Sequence, residues 1–202
     1  MTGVNLGLLE RVAALIAERN AVDAEIGAIT GRPVVAGHLG EWIAAQIFDI
    51  TLESSAVAKG IDGRFTSGVL EGRTVNVKWY AKREGNVDLT DDSDADFYLV
   101  MTGPRAAPVS SRGGARPLRI TGVYVFGIPE LLRELRDRGV KIGIATSVRV
   151  GDWKAAEVFP LQANQALVLS DDQRDALKLF AGQTEPQPIA VPRGSSRLSE
   201  IS

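Results

Sequence analysis

The chain has no cysteine and only one histidine, His38. Without thiols it forms no disulfide, offers no cysteine nucleophile and cannot build a Cys-based zinc site. A lone imidazole rules out a multi-histidine metal centre within one chain. Aromatic residues make up only 6% of the sequence, so few side chains are available to stack on bases or line an aromatic pocket. No apolar run reaches the roughly 18 residues that a membrane-spanning helix needs, so no membrane partner is expected. The opening stretch, MTGVNLGLLERVAALIAERN, carries acids and lacks a basic block before an apolar one. It does not read as a secretory signal, and a cytoplasmic location is expected. Neither charge sign dominates, the formal net charge being −2. That argues against a general polyanion binder but leaves room for a local basic groove, because steering depends on where charges sit.

What is present suffices for a folded domain: 202 residues, 45% of them apolar. Residues 6–29 are helix-compatible, with Leu8, Leu9, Val12, Leu15 and Ile16 at helical spacing, up to Pro33. A second helix is expected over 38–49, with Leu39, Ile43, Ile47 and Phe48 apolar. KGIDGRF and GRTVNVKWY read as strands joined by a hairpin at Glu71-Gly72, with a bulge around Thr66-Ser67-Gly68 adjusting the register. ADFYLVMTG reads as a central strand, ITGVYVFG as a fourth, KIGIATSVRV as another and AEVFPL as a short one. A helix over 129–138 starts with Pro129 in its first turn and stops at Gly139. Ser170-Asp171-Asp172-Gln173 matches a capping box and opens a helix to about Phe180. This order predicts an α/β (α+β) fold, a mixed central sheet flanked by helices. It divides into an N-terminal helical segment (1–36), the α/β domain (37–181) and a flexible C-terminal tail (182–202).

Within GRTVNVKWY, Val75, Val77 and Trp79 alternate with Thr74, Asn76, Lys78 and Tyr80. A period of two marks a half-buried strand. Asn76 and Lys78 then share one face, roughly 7 Å apart. Asp62 lies between glycines in KGIDGRF, and Glu41 interrupts a helical stripe continued by Ala44, Ala45 and Phe48. With the hairpin closed, Glu41, Asp62 and Lys78 converge at one end of it. Two carboxylates there offer oxygen ligands to Mg²⁺, or to Mn²⁺ in its place, with Asn76 as a weak further ligand. Such a cation lowers the pKa of its bound water, and a lysine beside it orients or deprotonates that water and stabilises developing charge. Each residue alone has a plainer explanation. Lys78 suits an edge strand, Asp62 a turn, and Glu41 the first turn of a helix, where the dipole favours acids. Only their joint order and spacing points to a site.

At these residues the sequence resembles the PD-(D/E)XK nuclease superfamily, whose fold is restriction-endonuclease-like. That family carries a helical Glu, an Asp at a strand, and an acid-x-Lys on the paired strand. Here these are Glu41 in GHLGEWIAAQIF, Asp62 in KGIDGRF and Asn76-Val77-Lys78 in VNVKWY. The likeness covers about residues 37–102. It looks most like small bacterial members and the Mrr-like branch, which often carry Gln-x-Lys; Asn76 departs from both patterns. The resemblance implies Mg²⁺-dependent hydrolysis of DNA phosphodiester bonds. It also implies that Glu41, Asp62 and Asn76 hold the metal and that Lys78 completes the catalytic set.

The segment 103–119, GPRAAPVSSRGGARPLR, has three Pro, three Gly and four Arg and reads as a mobile basic loop. Lys82, Arg83, Arg105, Arg112, Arg116 and Arg119 are therefore the expected nucleic-acid contacts, salt-dependent and unspecific in sequence, with a plain solvated loop as the alternative. Trp42, Trp79 and Trp153 are expected to pack rather than to stack on bases, and His38 to mark a helix start. DLTDDSDAD lacks the glycine and terminal glutamate of a calcium-binding EF-hand loop and reads as a solvated turn. Three function classes stay open: a metal-dependent DNA endonuclease, a degenerate nuclease-fold module that binds DNA or a partner without cutting, and an assembly protein. In the third, Leu131, Leu132, Leu135, Trp153 and Phe159 would form the interface of a homodimer; a plain core accounts for them equally well.

Overall fold

The computed structural model describes residues 6–53, 60–106 and 117–182. In chain order the helices are α1 (Leu6–Thr30), α2 (Ala36–Ile47), α3 (Ile128–Asp137), α4 (Val150–Ala156) and α5 (Asp171–Leu179). The strands are β1 (Ile50–Leu52), β2 (Gly63–Phe65), β3 (Thr74–Tyr80), β4 (Asn86–Val87), β5 (Phe97–Thr102), β6 (Gly122–Gly127), β7 (Thr146–Ser147) and β8 (Glu157–Phe159). Six strands form one mixed sheet in the order β1-β2-β3-β5-β6-β8, and β4 pairs with β7 in a second, two-stranded sheet. Only β3 and β5 run parallel; their neighbours in the sheet are antiparallel. The expected α+β class is the observed one.

The central position of β5 follows from its composition, FYLVMT, with five consecutive buried residues. Leu99 and Met101 face one core, with Ile43, Ala44 and Ile47 of α2 and Val75 and Val77 of β3. Tyr98 and Val100 face the other, with Leu131, Leu132 and Leu135 of α3 and Trp153 and Ala156 of α4. This is the period-two alternation read from the sequence, now with a layer on each face. Leu131, Leu132, Leu135, Trp153 and Phe159 are all buried within the single chain. They are core, not a free subunit face. Leu135→Ala removes a fully buried side chain and is expected to cost about 2–5 kcal/mol. Thermal melting should register that loss at roughly 2–4 °C per kcal/mol.

Three local readings change. KIGIATSVRV yields only the two residues of β7, because Gly143 (φ 157°) and Ala145 (φ 56°) break the extended run and Val150 already opens α4. The β2–β3 connection is wider than a turn at Glu71-Gly72: a 3-10 turn, Gly68–Leu70, precedes it. Ile50–Leu52 adds an edge strand that no periodicity announced, three residues being too few to show one. The capping box is as read: Ser170 Oγ accepts from Gln173 N–H at 3.2 Å and Gln173 Oε1 accepts from Ser170 N–H at 2.9 Å. The expected tail beyond Gly182 lies outside the described residues.

Candidate functional site

The site is created by the shortness of β2. It pairs with β3 only at Gly63↔Val75 and Arg64↔Thr74, so among the described residues the edge of β3 beyond Val75 has no neighbouring strand. Asp62, one residue ahead of β2, fills that position. Its N–H donates to Val75 O and its carbonyl accepts from Glu53 N–H, both at 2.9 Å. Its carboxylate oxygen Oδ2 then accepts from Val77 N–H at 2.7 Å. A side-chain acceptor thus takes the place of the missing strand's carbonyl, and the chain is fixed on both sides of the carboxylate. Burial raises the proton affinity of Asp62. The Val77 N–H opposes that rise, the nearby Glu41 charge adds to it, and Lys78 and Arg32 counter it.

Glu41 comes from α2, which crosses close to β3. A Cβ on Gly40 would lie 3.0 Å from Trp79 Cβ, so the glycine sets how near the helix can approach. The helix starts at Ala36, and its first turn holds no acid. The helix dipole therefore does not account for Glu41. Its carboxylate instead takes Arg32 Nη1 at 2.5 Å, and the Glu41 side chain is only 17% exposed. Arg32 had no role in the sequence reading; an arginine just ahead of Pro33 carries no local signal that it will fold back onto a helical glutamate nine residues on.

Asn76 and Lys78 share a face of β3, as the alternation requires. Asn76 Oδ1 is buried and has no hydrogen-bond donor among the described residues. Lys78 Nζ sits 5.1 Å from the centre of the Tyr98 ring. Burial lowers the Lys78 pKa, and the charges of Asp88 and Asp62 oppose that shift. Glu41, Asp62, Lys78 and Arg32 thus form one electrostatic group, all of them acting on the proton affinity of Asp62.

Among the described residues no three His, Cys, Asp or Glu side chains cluster to hold a metal ion. The Glu41 carboxylate lies close enough to act on the charge of Asp62, while Asn76 projects with Lys78 from the face of β3 opposite the α2 layer, so the oxygen donors available near the bare edge are two carboxylates and, from the other face, one amide. The Val77 carbonyl lies on the same bare edge as its N–H. An all-oxygen set of this kind suits a hard divalent cation. The orphaned Asn76 Oδ1 is the observation that fits, since a buried acceptor without a donor costs about 1–3 kcal/mol unless something pairs with it. For a cation held there, replacing the amide by a carboxylate adds ligand charge, so Asn76→Asp is expected to give Mg²⁺ binding about tenfold tighter in titration calorimetry. Unchanged affinity would remove Asn76 from the ligand set.

The basic residues divide into separate groups. Arg83 and Arg105 follow the parallel strands β3 and β5, and their backbones run side by side. Arg83 packs over Tyr124 and Trp153 at 5.4 and 5.6 Å from the ring centres and donates to the Tyr124 hydroxyl at 3.0 Å. Both arginines line a cleft of about 510 Å³ with Glu84, Val148, Val150 and Trp153. Lys82 lines a smaller neighbouring hollow with Tyr80 and Asp88. Arg119 lies elsewhere: its carbonyl accepts from Trp79 Nε1 at 3.0 Å, and its side chain abuts Gly182. Arg112 and Arg116 lie outside the described residues.

Trp42 and Trp79 pack against the first core and Trp153 is buried in the second, in line with the packing reading. His38 is half-buried in the first turn of α2, with Nδ1 buried and without a hydrogen-bond partner among the described residues. The acidic stretch before β5 is tied down residue by residue rather than arranged as a cage. Asp91 pairs with Arg136 at 2.5 Å, Asp88 accepts from Ala145 N–H at 2.8 Å, and Asp96 accepts from Thr74 N–H and hydroxyl at 2.8 Å each. Among the described residues no helix is long and apolar enough to cross a membrane. No protein-family model matches the chain, and no curated protein matches its sequence.

Proposed function

We propose that this protein is a divalent-metal-dependent endonuclease of the PD-(D/E)XK type, hydrolysing DNA phosphodiester bonds at Glu41, Asp62, Asn76 and Lys78. The observation that carries the reading is the buried, donor-less Asn76 Oδ1 next to Lys78 on the strand whose bare edge is capped by the Asp62 carboxylate. Glu41, Asp62 and Asn76, with the Val77 carbonyl, would hold Mg²⁺ or Mn²⁺. When bound, such a cation supplies Lewis acidity, lowering the pKa of its water and offsetting charge on the phosphate. Val77 N–H fixes one carboxylate oxygen of Asp62, and the other would serve the ligand. Lys78, with its ammonium disfavoured by burial, exchanges a proton at Nζ more readily than a solvated lysine and would set its charge beside the nucleophile and phosphate. Arg83 and Arg105, together at the ends of β3 and β5, would hold the DNA backbone.

A second reading is a nuclease-fold module that binds DNA or a partner without cutting it. The Arg32–Glu41 ion pair favours it, because a guanidinium already neutralises one of the two acids. Incubation of supercoiled, linear and single-stranded DNA with Mg²⁺ or Mn²⁺ tests the first reading. Cleavage that requires the metal supports it. Intact DNA on every substrate, with DNA binding retained, moves the conclusion to the second. Binding carried by Arg83 and Arg105 should weaken steeply with salt and be reduced by Arg83→Ala with Arg105→Ala.

A further inference from the structure

No residue of α1 is buried, although the helix is 25 residues long. Its large apolar side chains lie open: Leu8 63%, Val12 51%, Leu15 44% and Val22 54% exposed. Most of the exposed ones fall in one row, with Leu9 and Ile16 on its flank. Leu8, Val12, Leu15, Arg19, Val22, Ile26 and Ile29 alternate in steps of four and three, the spacing of a coiled-coil seam. Only Arg19 interrupts the row. An isolated helix does not hold so wide an apolar stripe in water; a stripe with this period is covered by another helix of the same period.

We infer that α1 pairs with α1 of a second copy of this chain, antiparallel, so that Leu8 meets Ile26, Val12 meets Val22 and Leu15 meets Arg19 of the other helix. Charge selects both the partner and the direction. In a parallel pair, Arg19 would face its own copy in the seam, and Glu18 would face Asp23 across it. In the antiparallel register Arg19 lies against Leu15, and Arg11 at the flank meets Glu25 of the other copy, twice by symmetry. Glu18 meets its own copy at the centre, but each Glu18 has Arg11 of its own helix at 4.0 Å. Arg19 likewise has Asp23 of its own helix at 3.5 Å, which keeps its guanidinium at the edge of the seam.

The absence of native cysteine gives a clean test. Full-length Val12→Cys and Val22→Cys chains are oxidised separately and as an equal mixture, beside sedimentation of the unmodified chain over a range of concentrations. The expected result is a dimer, with a disulfide-linked species in the mixture far in excess of either chain alone. Leu15→Glu with Val22→Glu should give a monomer with unaltered melting of the α/β domain, since α1 buries nothing there. Arg11→Glu should weaken the dimer about tenfold or more, and adding Glu25→Arg should restore it. A monomer at all concentrations, cross-links within each chain alone, or a dimer indifferent to Leu15→Glu with Val22→Glu would overturn the inference.

Discussion

Asp62→Asn and Lys78→Met are each expected to reduce DNA cleavage by at least about 10²–10³-fold, while leaving the chain as stable as the parent or more so. The two effects come from one cause. The raised pKa of Asp62 means that the folded state disfavours its charge, burial being the main reason. Between the ordinary 3.8 and the raised folded value, the folded chain binds more protons than the unfolded one. Stability therefore falls as pH rises through that window, and at neutral pH the charged Asp62 is a net cost. Asparagine keeps an oxygen for Val77 N–H and removes the charge. Lys78 is the mirror case: its pKa is lowered from 10.5, again chiefly by burial. Folded chains then bind fewer protons than unfolded ones between the lowered value and 10.5, so stability rises with pH across that upper window. Methionine keeps the stem over Tyr98 and removes the ammonium. Thermal melts across pH, run beside cleavage assays, test both halves. A variant that melts well below the parent at neutral pH would show the charged groups to be structural, and retained cleavage would remove them from the catalytic set. Charged groups held in a desolvated cleft, with shifted proton affinities, are the pattern a catalytic site produces.

Gly63→Val is expected to damage both stability and cleavage through packing rather than charge. A Cβ at this position would sit 2.6 Å from Thr51 O and 2.7 Å from Ile50 Cγ2. Both obstacles belong to β1, and the nearer one is backbone, so no rotamer relieves the clash. Overpacking of this kind costs about 1–3 kcal/mol or more. The melting temperature should fall by roughly 2–12 °C at 2–4 °C per kcal/mol. The displacement also reaches Asp62, whose carbonyl is bonded to Glu53 at the end of β1. Cleavage should therefore drop more than the loss of folded protein explains. Gly37→Ala is the control: nothing lies within 4 Å of its added Cβ, and alanine in a helix is expected to be neutral or to stabilise by about 0.5–1 kcal/mol. Equal melting of the two variants would show that the β1–β2 contact yields easily.

Much of the core was legible along the chain. The alternation in GRTVNVKWY set which side chains of β3 face each layer, FYLVMT declared itself a central strand, and Ser170 with Gln173 marked the start of α5. These signals are local, and the physics behind them, side-chain period and end-group satisfaction, is local too. The face shared by Asn76 and Lys78 was therefore determined by sequence alone. Only the tertiary structure decided what that face meets. β2 stops after three residues, leaving the bare edge that Asp62 caps. Gly40 lets α2 close onto Trp79 on the other face of β3, which brings the Glu41 charge to bear on Asp62, and Arg32 folds back from the other side of Pro33 to neutralise it. Such contacts join segments whose composition says nothing about one another. The two positive-φ residues that replace a strand with β7 show the same limit, because a run that is extended by propensity yields when a long-range pairing, here β7 with β4, requires a bend. In α1 the division is reversed: the seam is written completely in the sequence, and the fold adds only that among the described residues nothing of the α/β domain buries it.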